Sequence, residues 1–192
     1  MVSTTGLVSY WKLDETTGSV LDAHGTNAGS PVGVTTNQTG KLGKAYGFDG
    51  VDDFVVIPSA ADLSLSGDWS WSYWFLRSGT AGYHLGKINA GVTLGFLVYP
   101  TAKRIDFYAP FPGNWINTNT GSDFNDGLWH HHVFGRAGGS YIRVYIDNVL
   151  AASGNLTGDM TTTGSLYFGA YSQADAFYKG TLDEFGFWSR ML

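Results

Sequence analysis

Apolar and polar residues alternate with a period of two along short stretches of this chain, and turn-forming residues separate the stretches. The clearest case is Tyr141–Asp147, where Ile142, Val144 and Ile146 fall on one face and Tyr141, Arg143 and Asp147 on the other. Asp68–Arg77 is longer, with Trp69, Trp71, Tyr73 and Phe75 on one face and Ser70, Ser72 and Trp74 on the other. The same reading predicts strands at Gly6–Leu13, Lys44–Phe48, Phe54–Ile57, Trp129–Arg136, Gly164–Ala170 and Thr181–Trp188. Gly91–Tyr99 and Arg104–Tyr108 are expected to form a hairpin around Pro100. No window of eleven residues carries a helical apolar stripe. Many short strands with turn signals between them predict an all-β sandwich or barrel, in one domain over residues 1–192.

Composition sharpens this picture. Across 192 residues there are 27 glycines, 16% aromatic residues and only 14% charged ones, which suits tight turns and a ring-rich core. The net charge of −5 and the lack of basic runs argue against nucleic acid as a partner, because that binding needs clustered Lys and Arg. With no cysteine, disulfides and cysteine-bound zinc are excluded. No apolar stretch approaches membrane-helix length, so no membrane insertion is expected. The residues from Met1 to Leu7 do not read as a signal peptide, which suggests a piece of a longer exported protein or a virion protein released by lysis.

Five landmarks then appear in order. They are Gly6–Glu15 with the loop Asp22–Gly29, Gly43–Val55 with the aromatic strand after it, Asp126–Val133, Tyr145–Asn148, and Gly180–Leu192. Together they resemble the laminin-G-like, concanavalin A-like lectin/glucanase superfamily, near its pentraxin-like branch. The resemblance implies a two-sheet antiparallel jelly-roll sandwich. Such a fold hosts lectins, adhesion modules, hydrolases and structural domains, so it does not name the function.

Strict alternation would put Asp183 on the face of Phe185 and Phe187, where a carboxylate needs compensation. The resemblance implies that the Asp22 loop lies beside this strand, where related domains hold a structural calcium. Asp22 and Asp183 are therefore expected as ligands, with Asn27 as a further candidate and loop carbonyls completing the shell. The alternative is that Asp183 accepts backbone N–H bonds and Asp22 caps a turn. Asp49, Asp52 and Asp53 read as turn chemistry rather than a calcium loop. In His130-His131-His132 neighbouring side chains point to opposite faces, so a structural reading is favoured.

Catalysis is not expected. Glu15 and Glu184 are the only glutamates, and the Glu-x-Asp-x-x-Glu pattern of the superfamily's glucanases, which supplies a retaining pair, is absent. Binding is expected from aromatics in polar loops, where rings pack on sugar C–H faces and amides fix hydroxyls. The segment Tyr108–Asn119 offers Tyr108, Trp115 and Asn117, and Tyr171–Tyr178 offers Tyr171 and Tyr178. The expected function is non-catalytic, lectin-like recognition of a glycan or glycosylated surface, at an extracellular or virion surface. The alternatives are a phage capsid or tail-fibre decoration domain, with other virion proteins as partners, and more distantly a glycoside hydrolase.

Overall fold

The computed structural model describes residues 3–79, 82–88, 97–101, 104–109, 114–118, 121–122, 124–155, 163–173 and 176–192. The first half of the chain supplies β1 (Leu7–Trp11), β2 (Ser30–Val32), β3 (Thr35–Thr39), β4 (Lys44–Asp49), β5 (Phe54–Ile57) and β6 (Trp69–Arg77). Next come β7 (Leu85–Ile88), β8 (Leu97–Thr101), β9 (Arg104–Ala109) and β10 (Asn114–Asn117). The rest are β11 (His130–Ala137), β12 (Tyr141–Ile146), β13 (Val149–Asn155), β14 (Ser165–Phe168) and β15 (Lys179–Trp188). One 3-10 turn, Ala61–Leu63, is the sole helical element among the described residues.

These strands make two antiparallel sheets. One runs β13-β12-β11-β6-β15-β4-β3 with β1 added on β15, and the other runs β10-β9-β8-β7-β14-β5-β2. The all-β, two-sheet antiparallel sandwich is as expected. Alternation in β6 works as read: Trp69, Trp71, Tyr73 and Phe75 are fully buried while Ser72 and Trp74 face outward, half-buried. In β12, Ile142, Val144 and Ile146 are likewise buried.

Rings join the layers. Phe168 of β14 stacks on Phe185 of β15 across the two sheets with centroids 3.8 Å apart, and within the larger sheet Trp71 stacks on Phe187 at 4.5 Å. Trp11 lies parallel to Trp71 and meets the edge of Phe168. Such contacts add to the burial of large aromatic surfaces.

Three expectations about elements change. Pro100 does not centre a turn; it lies in β8 paired with Ile105, beyond the two β8 residues that pair with β7. A proline is tolerated there because no neighbour on that side needs its missing N–H. The segment Tyr108–Asn119 is not a free loop, since its ends form β9 and β10 and Trp115 pairs with Tyr108. Finally, the strand expected at Gly91–Tyr99 is seen only from Leu97, and residues 91–96 lie outside the described residues.

Candidate functional site

The central strand β15 contains a bulge. Asp183 pairs with Trp74 and Gly186 with Ser72, so Glu184 and Phe185 stand opposite Tyr73 alone. Phe185 turns inward and stacks on Tyr73 at 4.6 Å. Glu184 adopts φ +57°, in the left-handed region, as the extra residue of a bulge often does. The extra residue reverses the expected facing of Asp183. Leu182, Phe185 and Phe187 enter the core, while Asp183 sits on the outer face beside Trp74.

Asp183 is nevertheless fully buried, because the turn between β3 and β4 folds over it. Its Oδ2 accepts the N–H groups of Lys41 (2.8 Å) and Leu42 (3.1 Å), and its Oδ1 is buried without a hydrogen-bond partner. Burial first, and the nearby Asp14 charge second, push its pKa up to about 7 against the pull of the turn amides. A Cβ on Gly40 would stand within 2.8 Å of the Leu42 and Lys44 carbonyl oxygens and of Asp183 Oδ2. Asp14 receives the Lys44 N–H at 2.6 Å. Two carboxylates and two carbonyl oxygens therefore gather about one turn, an oxygen-only set of the kind calcium takes.

Asp22 and Asn27, the other expected ligands, make their hydrogen bonds in the first loop and not at this turn. Asp22 Oδ1 accepts N–H bonds from Tyr10, His24 and Gly25, and Oδ2 accepts that of Asn27. Four donors fill the lone pairs of one carboxylate. The side-chain amide of Asn27 donates to Ser9 Oγ and Asp62 Oδ2, and its backbone carbonyl accepts the Trp11 indole N–H at 2.6 Å. The Asp22 loop is thus an anchor for β1. Sequence reasoning missed Asp14, whose signal was its place at the end of the first landmark.

Other acidic and imidazole groups have structural partners. Asp49, Asp52 and Asp53 do converge, with ligand atoms within 4.8 Å of one another. Asp49 Oδ1 accepts Val51 N–H and Asp53 Oδ2 accepts Asp49 N–H, which is turn chemistry as read. His130 bridges Asp147 (2.7 Å) and Asp126 (3.0 Å). Burial opposes its charge, but these two hydrogen bonds outweigh burial and raise its pKa. His132 and His84 both meet the Tyr73 hydroxyl, at 2.7 and 3.0 Å.

The expected binding residues separate into three places. Tyr108 and Trp115 are directly paired on the β9–β10 hairpin, whose outer strand β10 is a sheet edge, and Asn117 is exposed at its end. Tyr171 is half-buried past the end of β14, tilted against Tyr83 at 5.3 Å, with β7 and β8 between it and the hairpin. Tyr178 is not a surface residue. It is fully buried and donates its hydroxyl to the Leu76 carbonyl, because the segment before β15 turns into the core.

A sequence profile described as the concanavalin A-like lectin/glucanases superfamily matches residues 49–192. The chain belongs to this superfamily. The two-sheet architecture agrees with that membership, while the narrower pentraxin likeness rests on the sequence landmarks alone. No curated protein sequence matches the chain. Among solved structures, this superfamily member is similar to domain 4 of AbnA, a GH43 extracellular arabinanase from Geobacillus stearothermophilus, in complex with arabinotriose. There the TM-score is 0.72 and the identity 20%, over 97% of this chain and 93% of that one. It is similar also to the binding domain of Paraclostridial Mosquitocidal Protein 1 (TM-score 0.77, 13% identity, 98% of this chain and 50% of that one). A third likeness is to the botulinum neurotoxin serotype D ligand binding domain in complex with N-acetylneuraminic acid. Its TM-score is 0.73 and its identity 13%, over 97% of this chain and 48% of that one. The chain spans about half the length of the two toxin domains. At these identities the likeness concerns the fold.

Proposed function

We propose that this chain is a non-catalytic, lectin-like recognition domain that binds a glycan or glycosylated surface and is stabilised by calcium. The observation that carries the reading is the register of the edge hairpin, which sets Tyr108 opposite Trp115 and leaves Asn117 exposed two pairs further on. Aromatic positions beside an amide are the pairing that sugar rings and their hydroxyls use. The sugar-bound arabinanase domain and neurotoxin domain share the fold and support the same ligand class.

The non-catalytic part rests on the glutamates. Glu15 is committed to the fold through Leu21 N–H and the Tyr46 hydroxyl, so it is not held ready as an acid or nucleophile. For calcium, Asp183 and Asp14 with the Leu42 and Lys44 carbonyls are the proposed holders. The ion would neutralise two clustered carboxylates and pin the β3–β4 turn onto β15. The function is tested by glycan-array binding of the wild type and Trp115→Ala. Recognition through the hairpin predicts binding that the variant loses, and a wild type that binds no glycan refutes it.

A further inference from the structure

A cleft of about 230 Å³ opens on the outer face of the eight-stranded sheet, lined by Tyr10, Ser72, Trp74, His131, Glu184 and Trp188 among others. None of these six was assigned a role by the sequence. The β15 bulge makes the cleft. Glu184 is the extra residue of that bulge and faces the outer side, where it lines the cleft with Trp74 and Trp188. The position needs a left-handed backbone that favours glycine, yet a glutamate occupies it.

Glu184 is 9% exposed, and its carboxylate has no hydrogen bond or ion pair with the described residues. The carboxylate opens onto the cleft, where the donors of a ligand can reach it. The walls offer both apolar faces and donors. Trp74 stacks against His131 with centroids 4.6 Å apart, and His131 Nε2 lies 2.7 Å from Ser72 Oγ. Trp188 lies flat over Gly186, where any Cβ would collide with its ring, and its indole N–H is tied to the Ser3 carbonyl at 2.8 Å.

We propose that this cleft is a second carbohydrate subsite, taking one sugar residue whose adjacent hydroxyls donate to Glu184 while its C–H face meets the Trp74–Trp188 wall. The inference rests on the glycan-recognition reading above. The mixed lining favours a neutral polyol over a cation. Lys41 Nζ already stands 4.4 Å from the Trp74 ring centroid, so a positive charge is in place, and the hydroxyl–imidazole pair suits sugar oxygens.

The test uses the whole chain, a panel of methyl glycosides (arabinofuranoside, galactopyranoside, mannopyranoside) and saturation-transfer NMR with titration. Glu184→Gly relieves the backbone and so folds, and Glu184→Gln keeps the shape. Either variant is expected to weaken binding at least tenfold. Binding that survives both Glu184 variants but is lost in Trp115→Ala overturns the cleft and leaves the hairpin reading intact. Preference for a methylammonium probe over every glycoside overturns the ligand class, and no glycoside binding to the wild type overturns both readings.

Discussion

Asp183 stands directly across from Trp74 on the outer face of the larger sheet, yet no part of its carboxylate reaches solvent. The β3–β4 turn covers it with two N–H donors and leaves Oδ1 unmatched. This turn is where the proposed calcium is tested.

Calcium is therefore expected to raise the melting temperature of the wild type and not that of Asp183→Asn. A ligand at a hundredfold excess over its Kd stabilises by about 2.7 kcal/mol, which calorimetry resolves. Asp22→Asn should lower stability by about 1–3 kcal/mol, since buried and half-buried N–H groups lose a charged acceptor. It should leave the calcium increment unchanged. A calcium shift that disappears with Asp22→Asn and persists in Asp183→Asn would return the site to the first loop.

The histidines around Tyr73 predict an acid limb in stability. The Tyr73 hydroxyl has one proton, so it donates to Nδ1 of one histidine and accepts an N–H from Nδ1 of the other. Burial lowers the pKa of both rings, that of His132 to about 3. Below about pH 6.5 the unfolded chain takes up protons that the folded chain refuses. Stability therefore falls as pH drops from 6.5 toward 3, by at most about 1.4 kcal/mol per pH unit for each histidine. Urea unfolding across this range should show the slope, and His132→Gln should reduce it.

Gly40→Ala is predicted to be destabilising although its backbone φ is ordinary. The new methyl would meet the Leu42 and Lys44 carbonyls and Asp183 Oδ2, all closer than 3 Å. The turn must shift, at a cost of about 1–3 kcal/mol, and the calcium response should weaken with it. A variant with unaltered melting temperature and calcium response would contradict the oxygen cradle.

Tyr178→Phe separates burial from binding. Losing the hydroxyl leaves the Leu76 carbonyl short of a donor, for about 1 kcal/mol, with glycan binding unaffected. A loss of binding with stability intact would restore Tyr178 as a contact residue.

The strands and their inward faces were legible because burial acts on every second residue, as β12 shows along its length and β6 from Trp71 onward. The aspartates were legible as chemistry but not as a constellation. Asp183 meets residues 40–42 across some 140 positions of chain, and local spacing carries no record of such a contact. The binding segments were mistaken as loops where β9 and β10 pair, since prolines and asparagines near strand ends look the same as those in turns.

Alternation by itself determined that this chain folds as an all-β sandwich or barrel with a ring-filled interior, and the order of its landmarks pointed to the sandwich. Only the tertiary structure decided which way Asp183 faces. One inserted residue inverts the pattern for everything before it, and that insertion shows only when β15 is laid against β6.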